Sequence, residues 1–403
     1  MLIRVLITII NINVLFMLLF ASFCSCNRLE EAIKDAYAFN VTDYGAAGDG
    51  LTDDSQAFLK AWTDVCSANA SAATLEVPPG KTFLLKPVRF NGPCSFSSVH
   101  FQLKGNIIAP NSTWEDGGEE NWISFSDVEG LVIDGGGQIN GQGSVWWNAC
   151  DKKSDNALFI HNCNNLQLTG IHHLNSARNH ISISHCDNTN IYNLTITAPQ
   201  DSPNTDGIDI ASSSHINIKH TTISTGDDCI AMNNGTYNVS IVDVTCGPGH
   251  GISVGSLGKD ESYEIVEDVH VRNCKLVEAD NGLRIKTWQG GSGYVRNISF
   301  EDITLIDTKN PIIIDQFYED DEHGKDQISA VKISRVMYRN VTGTSATEEA
   351  VSLNCNQVEG CTDIIIDLIN ITSSIPGSDI SASCNNAYGT VTSASPNVSC
   401  LLP

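Results

Sequence analysis

Positive charge is what this 403-residue chain has least of: 23 Lys and Arg stand against 47 Asp and Glu, a formal net charge of -24. Such a surface repels nucleic acid and anionic membranes, so neither is expected as a partner. An anionic ligand remains open to it, because the field in a cleft follows nearby charges, and it requires a local cluster of Lys or Arg. Beyond residue 26 no apolar run approaches the roughly 18 to 20 residues of a spanning helix. Helical periodicity is missing from the central region too, which excludes a helix bundle there.

The first 26 residues, "MLIRVLITIININVLFMLLFASFCSC", have an early Arg4, an apolar run and then small residues, the layout of a secretory signal peptide. Cleavage near Cys26 changes the charge from -24 to -25 through loss of Arg4 and leaves 12 of the 14 cysteines. That even number suits disulfides in an oxidising compartment. Ten Asn-X-Ser/Thr sequons, at Asn40, Asn69, Asn111, Asn193, Asn234, Asn238, Asn297, Asn340, Asn370 and Asn397, agree with secretion. No linker divides residues 27–403, so the mature chain is expected to be one soluble, monomeric domain.

What is present is a repeat. Apolar-x-apolar triplets begin at Leu158, Ile181, Ile208, Ile230, Ile252, Leu283 and Ile312, in steps of 23, 27, 22, 22, 31 and 29 residues. Second short alternating runs lie between them, bounded by Asn, Gly, Ser and Asp turn signals. Period-two alternation rich in Ile, Val and Thr means strands. A propeller blade needs about 40 residues or more, so the shorter period predicts coils of an all-β, right-handed parallel β-helix. Open ends of such a stack need caps. "LTDDSQAFLKAWTDVCSA" predicts a short N-terminal cap helix with Asp53 or Asp54 as N-cap and Phe58, Trp62 and Val65 on one face. Beyond about Ser373 a tail with Cys384 and Cys400 is the expected lid at the other end.

The register places chemistry. Two positions before their triplets stand Asp206, Asp228 and His250, 22 and 22 residues apart, so they are expected to stack ahead of one strand with Asp227 beside them. The middle, outward residues read Ser182, Asp209, Ala231, Ser253 and Arg284, with Lys286 two residues on. Any one Asp could serve only as a turn residue. Stacked like charges, however, raise each other's pKa and destabilise the fold, and a turn would be as well served by Asn. Coupled carboxylates with separated pKa values are what glycoside hydrolysis needs. Calcium is the competing use, but a cationic Arg and Lys beside the cluster and a His within it argue against a metal.

At these residues the chain resembles the polygalacturonases, pectin-hydrolysing glycosidases of family 28, and most of all their plant members. Four signatures carry the resemblance in order: "NTDG" at 204–207, "GDDC" at 226–229, "GHG" at 249–251 and "RIK" at 284–286. It extends from "VTDYGAAGDGLTDDSQAF" at 41, through "GQINGQGSVWW" at 137, to "GTSATEEAVSLNC" at 343. The resemblance implies a right-handed β-helix and inverting hydrolysis of 1,4-linked α-galacturonosyl bonds in de-esterified pectin, without a cofactor, in the plant cell wall. It implies Asp227 as general acid, Asp206 with Asp228 as the pair activating water, and His250 as the group that tunes the acid. Arg284 and Lys286 are implied as ligands of the galacturonate carboxylate, and Asn204 and Tyr318 as further substrate contacts; Asp209 is expected in the same groove from its register alone, as a substrate contact or as a structural residue.

The resemblance also implies a disulfide between Cys229 and Cys246. Cys66 with Cys94, Cys355 with Cys361 and Cys384 with Cys400 follow from it and from proximity. Plant members usually carry a cysteine after "QFY", where this chain has Glu319, so one disulfide is expected to be absent and that loop looser. Cys163 and Cys186 share one register and are expected as free core thiols. Rival readings are a hydrolase of a related uronate polymer, a calcium-dependent pectate lyase on the same fold, and a catalytically silent wall-binding protein.

Overall fold

The computed structural model describes residues 36–69, 72–114, 121–147, 156–318 and 329–403, so the expected leader and the loop after Tyr318 lie outside the described residues. The repeat is a right-handed parallel β-helix. Along one side, eleven parallel strands follow one another from Val88–Asn91 to Ser381–Asn385. Two further parallel ladders close each coil on its other sides and merge in the long strands Ser292–Thr308 and Lys332–Ser345.

The expected triplet register is the observed one. Leu158, Ile181, Ile208, Ile230, Ile252, Leu283 and Ile312 are partners in successive strands. Their third residues, from Ile160 to Ile314, run in parallel and are buried with them. Each such side chain contributes about 1.5–3 kcal/mol by leaving water, and a slip of one residue would turn a whole row outward. That penalty holds neighbouring coils in step, and the outward residues inherit the same alignment.

Helix α1, Ser55–Ser67, packs Phe58, Ala61, Trp62 and Val65 onto the first coils. Trp62 meets Phe90 and Phe125 with ring centroids 5.2 and 5.5 Å away, and its Nε1 donates to the Asn91 carbonyl at 3.0 Å. The N-cap expectation is corrected in detail. Asp54 holds the cap position without capping; its carboxylate accepts from the Ala47 and Gly48 amides, while Asp53 accepts from the amide of Ser55. At the far end the tail is a coil in its own right, with Ser381–Asn385, Ala387–Val391 and Ala394–Ser395 each pairing onto the preceding turn.

Among the described residues four disulfides join Cys66 to Cys94, Cys229 to Cys246, Cys355 to Cys361 and Cys384 to Cys400. Cys163, Cys186 and Cys274 are buried free thiols. Among the described residues no helix is long and apolar enough to cross a membrane.

Candidate active site

The site lies on the outer face of the eleven-stranded sheet. Ser182, Asp209, Ala231, Ser253 and Arg284 are partners in successive strands and point away from the core, with Asp206, Asp227 and Asp228 in the turns just ahead. These turns stack tightly: the Gly207 amide donates to the Asp228 carbonyl at 2.8 Å and the Cys229 amide to the Gly251 carbonyl at 2.8 Å. A Cβ on Gly226 would come within 2.0 Å of the Ser202 carbonyl, so glycine is what lets the acidic turn sit against its neighbour. One residue past Asp228, the Cys229–Cys246 disulfide anchors the chain in the core.

Asp228 is the floor. It is 0% exposed, its Oδ1 accepts from Ser253 Oγ at 2.8 Å and Arg284 Nη2 at 2.6 Å, and its Oδ2 accepts from Lys286 Nζ at 2.8 Å. Arg284 Nε donates to Ser253 Oγ at 3.0 Å as well. The two cations are only 8% and 7% exposed, so they form no open basic patch. Removing one partner from a buried network of this kind costs about 3–5 kcal/mol, because a charge is left unpaired. Ser253 was visible in the outward column, but nothing in the sequence marked it as the bridge between Asp228 and Arg284.

His250 leans toward Asp227 rather than Asp228. Its Nδ1 lies 2.9 Å from Asp227 Oδ1, and its own amide donates to the Asp227 carbonyl at 2.7 Å. On its other side, Nε2 faces Asp280 Oδ2 at 3.9 Å, and Asp280 sits 2.7 Å from Lys309 Nζ. The Asp227 hydrogen bond outweighs burial and raises the imidazole above its ordinary value, so Nδ1–H donates to the carboxylate. Burial pushes the Asp227 carboxyl up, but the bond and charge of His250, the Asp228 amide and Lys286 bring it below the usual range.

Asp206 and Asp209 behave oppositely. Burial, then the charges of Asp209, Asp227 and Asp228, hold the Asp206 carboxyl well above the usual range. Burial and Asp228 push Asp209 up to about 7, against the opposing pull of Lys286 and Arg178. Asp209 also accepts from the Asn179 amide side chain. Beneath Asp206 the buried His180 donates its backbone N–H to the Asp206 carbonyl at 2.8 Å and places Nδ1 at 3.2 Å from the same oxygen. The site thus holds two carboxyls that keep protons and one that gives its proton up readily, within one group of interacting charges.

Tyr318 closes one side, its ring 5.0 Å from Lys286 Nζ and edge-on to Trp288 with ring centroids 5.6 Å apart. Asn204 stands exposed at the rim with φ +53°. Ligand atoms of Asp227, Asp228 and His250 lie within 4.8 Å of one another, a spacing a cation could use. Both Asp228 oxygens are already taken by Arg284 and Lys286, and that pair of charges repels a metal at the same place.

Comparison with known proteins finds relatives over most of the chain. The model for "Glycosyl hydrolases family 28" matches residues 66–396. A probable polygalacturonase of Arabidopsis thaliana is 49% identical over 369 residues, covering 90% of this chain and 80% of the relative. A polygalacturonase of Persea americana is 42% identical, covering 86% and 76%. Among solved structures, the endo-xylogalacturonan hydrolase of Aspergillus tubingensis superposes with a TM-score of 0.76 at 25% identity, over 89% of this chain and 99% of that one.

Proposed function

This chain belongs to glycosyl hydrolase family 28, and from that premise we propose that it hydrolyses the 1,4-linked α-galacturonosyl bonds of de-esterified pectin. The observation that carries this reading is a cluster of carboxyls, Asp206, Asp227 and Asp228, whose buried member Asp228 is held by Arg284 and Lys286, in a chain otherwise short of positive charge. An anionic polymer has little else on this surface to hold it.

In this proposal Asp227 gives its proton to the leaving oxygen, and Asp206 with Asp228 draws the proton from the attacking water. In the free protein Asp227 is the easily ionised member, because His250 and Lys286 favour its charge. A uronate carboxylate arriving beside Arg284 and Lys286 cancels part of that positive field, which moves Asp227 upward and equips it to hold the proton. Burial makes Asp206 hold a proton in the free protein, so it takes the water's proton only after releasing its own to solvent or to a neighbouring carboxylate. His250 orients Asp227, Tyr318 and Asn204 contact the sugar, and Asp209 receives its hydroxyls. Inversion rests on the family likeness alone. The nearest oxygens of Asp227 and Asp228 are within 4.8 Å, closer than the roughly 6.5 to 9.5 Å between the carboxyl groups of a typical inverting pair.

Four disulfides and the leader-like first 26 residues support a secreted, extracellular protein of the cell wall. A single stack with no second copy needed to complete the site supports a monomer made up of residues 27–403. The likeness to the xylogalacturonan hydrolase favours one second reading, a substituted galacturonan as the preferred backbone. Secreted protein incubated with polygalacturonate and with its xylose-substituted form decides between them. New reducing ends without calcium and without ultraviolet-absorbing products are expected, faster on the unsubstituted polymer. Absence of reducing ends on both removes the proposal, and unsaturated products indicate a lyase.

A further inference from the structure

The groove does not end at the acidic turns. Asp227 shares its line with Arg178, two coils toward the N-terminus, and Asp209 shares its own with Ser182 and Phe159. At about 4.8 Å per coil, Arg178 lies roughly 10 Å along the stack from Asp227, and Phe159 roughly 10 Å from Asp209. The two lines are within side-chain reach of each other, since Arg284 on one line touches Asp228 beside the other.

Three features set this stretch apart. Arg178 is exposed, and it is close enough to Asp209 for its charge to act on that carboxyl, whereas Arg284 and Lys286 are spent on Asp228. Phe159 is a half-buried aromatic that stands outside the hydrophobic core, stacked on His161 with centroids 5.8 Å apart. Between them in the floor, Ser182 is 8% exposed and its Oγ has no hydrogen-bond partner among the described residues. A planar cation, an apolar ring face and an unmatched hydroxyl are what a pyranose bearing a carboxylate requires.

We propose that Arg178 and Phe159 form a subsite for a second uronate unit, two to three coils from the scissile bond, so that the enzyme prefers chains long enough to reach it. The inference rests on the galacturonan reading of the catalytic coils. Arg178 supplies the fork for the distant carboxylate, and Phe159 supplies the surface on which the ring's C–H face lies. A methyl ester at that unit removes the charge and weakens the contact.

The test compares R178A, R178K, F159A and F159L with wild type on trigalacturonate and hexagalacturonate. R178A and F159A are expected to lose about tenfold in kcat/KM on the hexamer while staying within about twofold on the trimer. R178K and F159L recover part of the loss, and the wild-type advantage of the hexamer shrinks at high salt. Equal losses on both lengths, or none on either, overturn the subsite. If wild type cuts neither oligomer nor polygalacturonate, the catalytic reading has failed instead, and the subsite is then judged by equilibrium binding of the two oligomers to wild type and R178A. A tighter wild-type grip on the hexamer that R178A abolishes upholds it, and equal binding by both proteins ends it.

Discussion

Two sets of stacked carboxylates share one fold and one spacing, and they are built differently. At four outer corners an Asp meets an Asn one coil away: Asp127 with Asn162, Asp243 with Asn273, Asp268 with Asn297 and Asp302 with Asn340. All eight sit at φ between +52° and +59°, a left-handed turn that Asn and Asp tolerate better than other side chains. Each amide donates to the carboxylate beside it, so across the coils a neutral side chain faces each of these charges. In the groove Asp209 also accepts from an Asn one coil away, but Asp206, Asp227 and Asp228 crowd around it, and burial of Asp206 and Asp209 adds to the repulsion. A corner carboxylate completes a turn, whereas the groove carboxyls Asp206 and Asp209 keep a proton at a cost to stability.

The sharpest break in that comparison is D227N. It is expected to lower hydrolysis of polygalacturonate by about a thousandfold or more, measured as reducing ends released, while thermal unfolding at neutral pH shows only a small loss, because His250 and Lys286 favour the charge that is removed. Next comes K286M, which leaves Asp228 buried with one cation fewer. Chemical denaturation should show a loss of about 3 kcal/mol in addition to a large loss of activity.

D209N sharpens the contrast in the other direction. The folded-state value of Asp209, about 7, lies above its ordinary one, so this carboxyl's burden on stability is absent at low pH and grows as pH rises from about 4 toward 7. The variant should therefore be stabilised by about 2 kcal/mol at pH 7 and hardly at all at pH 4.5, read from unfolding at both values. The smallest effect belongs to the corners: D302N should change stability by less than about 1 kcal/mol and leave activity as it is. A corner variant that silences the enzyme would erase the distinction.

The aliphatic triplets made most of the fold legible, because alternating burial admits only one register, and the stacking of Asp206 on Asp228 followed from it. Helix α1 was legible from Phe58, Trp62 and Val65 at helical spacing. Side-chain reach was not. Register put His250 in line with Asp228, but its ring turns to Asp227, and Arg284 and Lys286 fold down onto a carboxylate two coils away. Ser253, Asp280 and His180 carried no motif, since their roles depend on which rotamers meet across coils. The tail beyond Ser373 looked like a lid because its strands are short and polar, yet backbone pairing to the previous coil was enough to extend the stack.

The most direct measurement is the rate of reducing-end release from polygalacturonate by wild type, D206N, D227N and D302N side by side at acidic pH. The account predicts that wild type and D302N are equally active and that both groove variants are silent. Activity surviving in D206N and D227N, or no activity in the wild type, would contradict it.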